Sequence, residues 1–329
     1  MNTIFNSSYN GNTAIPLYPD IPVSNNNRKL FCEFVEEYTQ KKYVTLPSKV
    51  GYNAISKHII TYCDKFGLEY PYTNSIDAEW VEEFVYYLRS SRNLMLTTVS
   101  GMLEKLRALL NKATLYGYPI NNTFREVKIK SEESHSVYLP EDEILKLYFF
   151  KTTNKKEEVV RDYFIIGCLT GLRFSDFSRI EKSHFQDNNT VIRIKTKKTG
   201  KVVHIPVDKY VLEIMEKYNW KLPKCCCVQA FNSTLQWMCK RVGFTEQIRS
   251  ERTVGLQVVT TVKEKWEMIS SHTARRSFAT NMYKAGFVIA EIMGITGHES
   301  EKTFYKYIKY SNESVARSMI NHPYFRRNT

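Results

Sequence analysis

The sequence contains no run of about 20 uninterrupted apolar residues, so no transmembrane helix is expected. Its opening, MNTIFNSSYNGNTAIPLYPD, lacks a basic start followed by an apolar stretch, and no secretory leader is expected either. The seven cysteines are an odd number without paired metal-binding spacing. Cys225, Cys226 and Cys227 are adjacent and cannot chelate as CxxC pairs do, while Cys32, Cys63, Cys168 and Cys239 fall in apolar helical patterns. Reduced, structural thiols of a cytoplasmic protein are the reading that fits. There is no internal repeat, no Walker-type glycine-rich loop and no metal-ligand cluster, so neither metal nor cofactor is expected. Acidic residues are scarce: 34 Asp and Glu face 47 Lys and Arg, for a net charge of +13 and a pI near 9.2. So basic a chain points to a polyanionic partner, nucleic acid first. What is present, 43% hydrophobic and 13% aromatic residues in a chain of 329, suits one or two domains with real cores.

Residues 1–27, rich in Asn, Ser and Pro, read as an extended arm. From 28 to 123 four helical patterns follow. Leu30, Phe31, Phe34, Val35 and Tyr38 share one face; Ile55, Ile59, Ile60 and Cys63 share a second, closed by Gly67. Trp80, Val81, Phe84, Val85 and Leu88 form a third, opened by Ser75 with Asp77 and Glu79 in its first turns. Val99, Leu103, Leu106, Leu110 and Ala113 form a fourth, stopped near Gly117. Four such helices make a small bundle. Residues 124–139 are polar and aperiodic and read as a linker; Pro140, followed by Glu141, Asp142 and Glu143, opens a second domain over 140–329. That domain is mainly helical with a β insert: VIRIKTKKTGKVVHIPV (191–207) is a hairpin pattern around Lys198-Thr199-Gly200, and GLQVVTTV (255–262) is strand-rich.

Four islands in this second domain carry groups suited to chemistry. In TGLRFSD (170–176) a helix pattern ends at Gly171, and Arg173 and Asp176 follow; alone they make a surface ion pair. Lys198 stands at the hairpin tip and is by itself a solvated lysine or a phosphate contact. In SHTARRSFATNMYKAG (271–286), His272 and Arg275 share the first turn of a helix capped by Ser270 or Ser271, where an anion is favoured. In GHESEKTFYKYIKYS (297–311), His298 ends one helix and Tyr305, Tyr307 and Tyr310 lie on the next.

Together and in this order, Arg173, a hairpin Lys198, His272-x-x-Arg275, Gly297-His298 and Tyr307 nine residues beyond that histidine resemble the tyrosine recombinase (phage integrase) family. Two departures stand out: Ala274 where the family often has Leu, and Thr303-Phe304 where it often has Thr-Thr. Neither removes a functional group. The resemblance implies a mainly α fold with a small β insert, in which a SAM-like core-binding bundle precedes an integrase-type catalytic domain. It implies metal- and ATP-independent DNA transesterification through a 3′-phosphotyrosine, with Tyr307 as nucleophile and Arg173 and Arg275 gripping the non-bridging oxygens. His298 would add a hydrogen bond, Lys198 would be the general acid, His272 the candidate base and Asp176 a support of the site.

The same resemblance implies double-stranded DNA as partner, clamped by the two domains, with one dimer per site and a tetramer in the synapse. A bacterial, cytoplasmic, nucleoid-associated setting goes with it. Lys105, Arg107 and Lys112 on the fourth helix are candidate DNA contacts. The tail with Met319, Ile320, Tyr324 and Phe325 is an amphipathic segment that docks either in cis or on a neighbouring protomer. The short stretch before the bundle favours a simple-site recombinase, such as an invertase or mobile-element enzyme. Two alternatives stay open: type IB topoisomerase-like relaxation, and a catalytically silent DNA-binding accessory protein.

Overall fold

The structure, a computed structural model, describes residues 28–129, 132, 136–308 and 319–320. The chain divides into two compact units: the residues up to Glu133 with Glu251–Thr260, and Ser134–Ser250 with the chain from Thr261 onward.

The first unit is built on four helices, α1 (Phe31–Gln40), α2 (Leu46–Phe66), α3 (Ala78–Ser90) and α4 (Leu96–Leu115). Their apolar stripes meet in one core that includes Phe31, Phe34, Ile55, Ile59, Val81, Phe84, Leu103 and Leu106, all nearly or fully buried. Removal of these stripes from water holds helices that would be marginal alone. Gly67 ends α2 in the left-handed conformation, as the sequence pattern predicts. Helix α3 starts two residues later than expected. Asp77 is its cap, accepting from the Trp80 amide at 2.9 Å, while Ser75 instead donates to the Tyr72 carbonyl. Phe124 is fully buried in this core, with Val127 and Ile129 packed on it, so the segment read as polar starts on the bundle.

The second unit begins with α5 (Glu141–Tyr148) behind Pro140, then α6 (Lys155–Thr170) and the single turn α7 (Phe174–Phe177). Helix α6 is apolar nearly all round and sits at the centre, burying Val160, Phe164, Ile165 and Cys168. A three-stranded antiparallel sheet follows, β1 (Phe185–Gln186), β2 (Val191–Lys195) and β3 (Val202–Pro206), in the order β1-β2-β3. The register pairs Ile192 with Ile205 and Ile194 with Val203 on the buried face, and Arg193 with His204 on the open one. Then come α8 (Lys209–Lys217) and α9 (Val228–Val242). Next is a second hairpin, β4 (Gln247–Val254) and β5 (Gln257–Glu264), whose turn belongs to the first unit. Helices α10 (Lys265–Met268), α11 (Ser271–Lys284), α12 (Ile289–Thr296) and α13 (Glu301–Tyr305) complete the unit.

Helix α11 lies directly on α6. Gly167 and Ala274 face each other there: a β-carbon on Gly167 would stand 3.0 Å from that of Ala274 and 2.8 Å from the Phe177 ring. Two small residues thus let the helices close up, and the Ala at 274 has a packing reason. The described cysteines are free thiols, with Cys63, Cys168 and Cys239 buried. No helix among the described residues is long and apolar enough to cross a membrane.

Gly171 ends α6 at φ +66, and a β-carbon there would lie 2.5 Å from the Phe278 ring. Gly171→Ala therefore combines left-handed strain with overpacking and is expected to lose about 2–4 kcal/mol in urea denaturation. Gly101→Ala, inside α4 with nothing within 4 Å, is expected to gain up to about 1 kcal/mol.

Candidate active site

The left-handed stop at Gly171 turns the chain so that Arg173 stands at the N-cap of α7. Its Nη1 is buried and has no hydrogen-bond partner among the described residues. One turn on, Asp176 is fully buried. Its Oδ1 accepts from the backbone N–H of Lys197 at 2.7 Å and from Arg179 Nη2 at 3.3 Å, while Oδ2 has no partner. The carboxylate thereby holds the β2–β3 turn by its backbone. Within that turn the Gly200 amide donates to the Thr196 carbonyl, and the hydroxyls of Thr196 and Thr199 meet at 2.8 Å. Lys198 projects from this tied turn and is exposed.

Helix α11 brings in the next pair. Ser270 caps it in a reciprocal box with Thr273, and the Ser271 amide donates to Asn232 Oδ1 of α9 at 2.7 Å. This first turn is therefore pinned from two sides. Arg275 is 1% exposed. It donates from Nη1 to the Gly171 carbonyl at 2.8 Å and from Nη2 to the Thr296 carbonyl at 2.7 Å. Nη2 also lies 3.0 Å from His298 Nε2, and Nε is buried without a partner. His298 follows the left-handed Gly297 that ends α12, and its Nδ1 is 2.7 Å from Thr296 Oγ1. His272 Nε2 is 3.1 Å from the Tyr307 hydroxyl. The Tyr307 ring lies 4.6 Å from the His298 ring and 5.6 Å from the Arg275 guanidinium, centre to centre.

Four sequence-predicted groups thus converge: His272, Arg275, His298 and Tyr307. Arg173 acts on them electrostatically, and Lys198 is near enough to help repel a proton from His272. Tyr307 lies in the turn after α13, not on that helix as the pattern suggested; its amide donates to the Phe304 carbonyl. The helix is only five residues long, and the backbone turns off it after Tyr305, which is 52% exposed. Tyr310, Tyr324 and Phe325 lie outside the described residues, and Met319 and Ile320 are exposed. On α4, Lys105 and Lys112 are exposed, whereas Arg107 is half-buried and donates to the Val127 carbonyl. Asn232 and Thr296 escaped sequence reasoning, because a lone polar residue in a helical pattern carries no sign of its partner.

Burial and the basic neighbours act in the same direction on the two histidines. Burial and the charges of Arg276, Arg275, Arg173 and Lys198 push His272 down to about 4. Burial with Arg275, Arg173 and His272 pushes His298 down to about 3. Burial and Arg173 lower even Arg275, to about 10, against the opposing pull of Tyr307 and Asp176. The site is positively charged, and among the described residues Arg173 and Arg275 each have a buried guanidinium N–H without a partner. An anion is the ligand that would satisfy both.

In the free protein both imidazoles should therefore stay neutral down to about pH 5, a point that 15N NMR titration reads directly. An unfolded histidine charges near 6.5, so protons favour the unfolded chain at lower pH. This contribution to stability is complete above about pH 6.5 and is lost progressively as pH falls towards 4 and 3. A titration of either ring near 6.5 would contradict the electrostatic account.

Two family profiles match the chain: the Phage integrase family over residues 137–314 and the Phage integrase SAM-like domain over residues 30–130. No curated protein sequence matches it. Among solved structures, the Tn1549 transposon integrase in complex with circular intermediate DNA is similar at a TM-score of 0.63 and 15% identity, covering 88% of this chain and 99% of that one. XerH site-specific recombinase bound to a palindromic difH substrate has the same TM-score and identity over 88% and 84% of the two chains. A lambda integrase dimer on a COC′ core site has a TM-score of 0.59 and 15% identity over 85% and 77%. The structural likenesses speak for the fold. The catalytic-domain profile spans more than half of the residues, and the chain belongs to the phage integrase family, the tyrosine recombinases.

Proposed function

We propose that the protein is a site-specific DNA recombinase that cuts and rejoins duplex strands through a 3′-phosphotyrosine and a Holliday junction. The observation that carries this reading is the pairing of a phenol with two guanidinium N–H groups left free for an anion. In the cleavage step the Tyr307 oxygen attacks the scissile phosphorus, and the bond from phosphorus to the 5′ oxygen breaks. The phenol's proton passes to His272, which is neutral and already 3.1 Å away. Lys198 supplies a proton to the leaving 5′ oxygen. Arg173 and Arg275 hold the non-bridging oxygens, where negative charge grows in the transition state, with His298 beside them. Rejoining reverses these moves, with a 5′ hydroxyl attacking the phosphotyrosine, so the bond energy is conserved in the covalent link.

Double-stranded DNA is the substrate, engaged by one dimer per site and a tetramer in the synapse. Lambda integrase is known as a dimer on its core site and as a tetramer on a Holliday junction, which supports this assembly. Exposed Lys105 and Lys112 suit phosphate contacts, whereas Arg107 serves the fold of the first unit.

With a nicked substrate carrying the cognate site, Tyr307→Phe should abolish covalent capture on denaturing gels and leave binding intact. Tyr305→Phe should behave as wild type, and the reverse result would move the nucleophile. Arg173→Lys should slow cleavage by about 100-fold or more, because an ammonium cannot bridge two oxygens in a plane. A rate within a few-fold of wild type would remove Arg173 from the phosphate clamp. Relaxation of a supercoiled plasmid lacking any cognate site would favour a topoisomerase instead.

A further inference from the structure

Thr296 is 1% exposed, the last residue of α12, and it is tied to both basic groups at once. Its hydroxyl oxygen is 2.7 Å from the Ile292 carbonyl and 2.7 Å from His298 Nδ1, and its own carbonyl takes a hydrogen bond from Arg275 Nη2. A carbonyl can only accept, so the hydroxyl proton points to Ile292. The oxygen lone pairs then face Nδ1, which must carry the ring proton. That leaves a lone pair on Nε2, which lies 3.0 Å from Arg275 Nη2; the same Nη2 is 3.3 Å from Nδ1. The opposite tautomer would take the hydroxyl proton from Ile292, so the hydroxyl contacts place the ring proton on Nδ1.

We propose that Thr296 is a positioning residue whose hydroxyl fixes the tautomer and ring plane of His298, leaving Nε2 as an acceptor beside Arg275 Nη2 at the phosphate position. The tautomer assignment stands on the geometry alone; the phosphate rests on the recombinase reading above. A neutral ring in this tautomer cannot donate to a phosphate oxygen; its part is to keep an acceptor beside Arg275 Nη2, the group that can. The groups facing the ring are Arg275 and His272 from α11, Arg173 from the α6–α7 junction, and Tyr307, and burial with the basic neighbours keeps it neutral.

The test uses the full chain with 15N-labelled histidine. Wild type should show the Nδ1–H pattern for His298. Thr296→Val, which keeps the shape and loses the hydroxyl, should show mixed tautomers and cleave nicked cognate DNA about tenfold more slowly at unchanged affinity. Thr296→Ser should restore both. An unchanged tautomer in the valine variant overturns the proposal, as does a serine variant equally impaired. A tautomer shift that leaves the cleavage rate and its pH profile untouched also overturns the positioning role. The NMR readout needs no DNA, so failure of the recombinase reading would appear separately, as absent covalent capture with an intact tautomer pattern.

Discussion

The second unit depends on a buried cation held by backbone. Arg275 is 1% exposed, and it donates to the carbonyls of Gly171 and Thr296 rather than to a carboxylate. Burying a charge costs several kcal/mol unless the surroundings answer it. Here the answer comes from two helix ends. Helix α6 stops at Gly171 and α12 at Thr296, so the negative poles of both helices converge on one guanidinium. The left-handed residues at 171 and 297 are thus electrostatic as well as steric features, because they end each helix where its carbonyls reach the charge.

Carbonyl dipoles carry partial charge and leave the cation under-neutralised. Burial and the basic neighbours together drive two histidines far below their usual range, and among the described residues Arg173 and Arg275 each retain a buried N–H without a partner. A carboxylate in direct contact would have stabilised the free protein and filled the site. Asp176 avoids that, since its bonded oxygen is committed to Lys197 N and Arg179. Leaving these polar groups unpaired costs stability, a compromise expected of functional sites.

Much of this was legible in sequence because it rests on spacing. The bundle follows from apolar residues at helical intervals, the β2–β3 hairpin from β-branched residues around Lys198-Thr199-Gly200, and the ordered polar set from its separations. What was not legible depends on partners distant in the chain. Asn232 caps a helix that starts 39 residues later, and nothing in α9 announces it. Strand β4 hid because QIRSERTV is mostly polar, and its pairing with β5 does not rest on an apolar core. The cap of α3 slipped from Ser75 to Asp77 because both are good caps and only backbone geometry chooses between them. Tyr307 was found by its distance from His298, yet its place in a turn beyond α13 could not be read from an aromatic-rich run.

The turn position bears on how the proposed nucleophile is controlled. Tyr307 is held through its backbone, by the Phe304 carbonyl and the Thr280 hydroxyl, and through its side chain, by His272, the ring of His298 and the face of Arg275. His272 at about 4 is a weak base, since burial and then four cationic neighbours oppose its taking a proton. On the proposed reading, a phosphate bound between Arg173 and Arg275 would cancel part of that repulsion and raise the strength of the base. The charge that binds the substrate then also bears on the chemistry, because those two arginines are among the groups that, with burial and Arg276, hold His272 neutral.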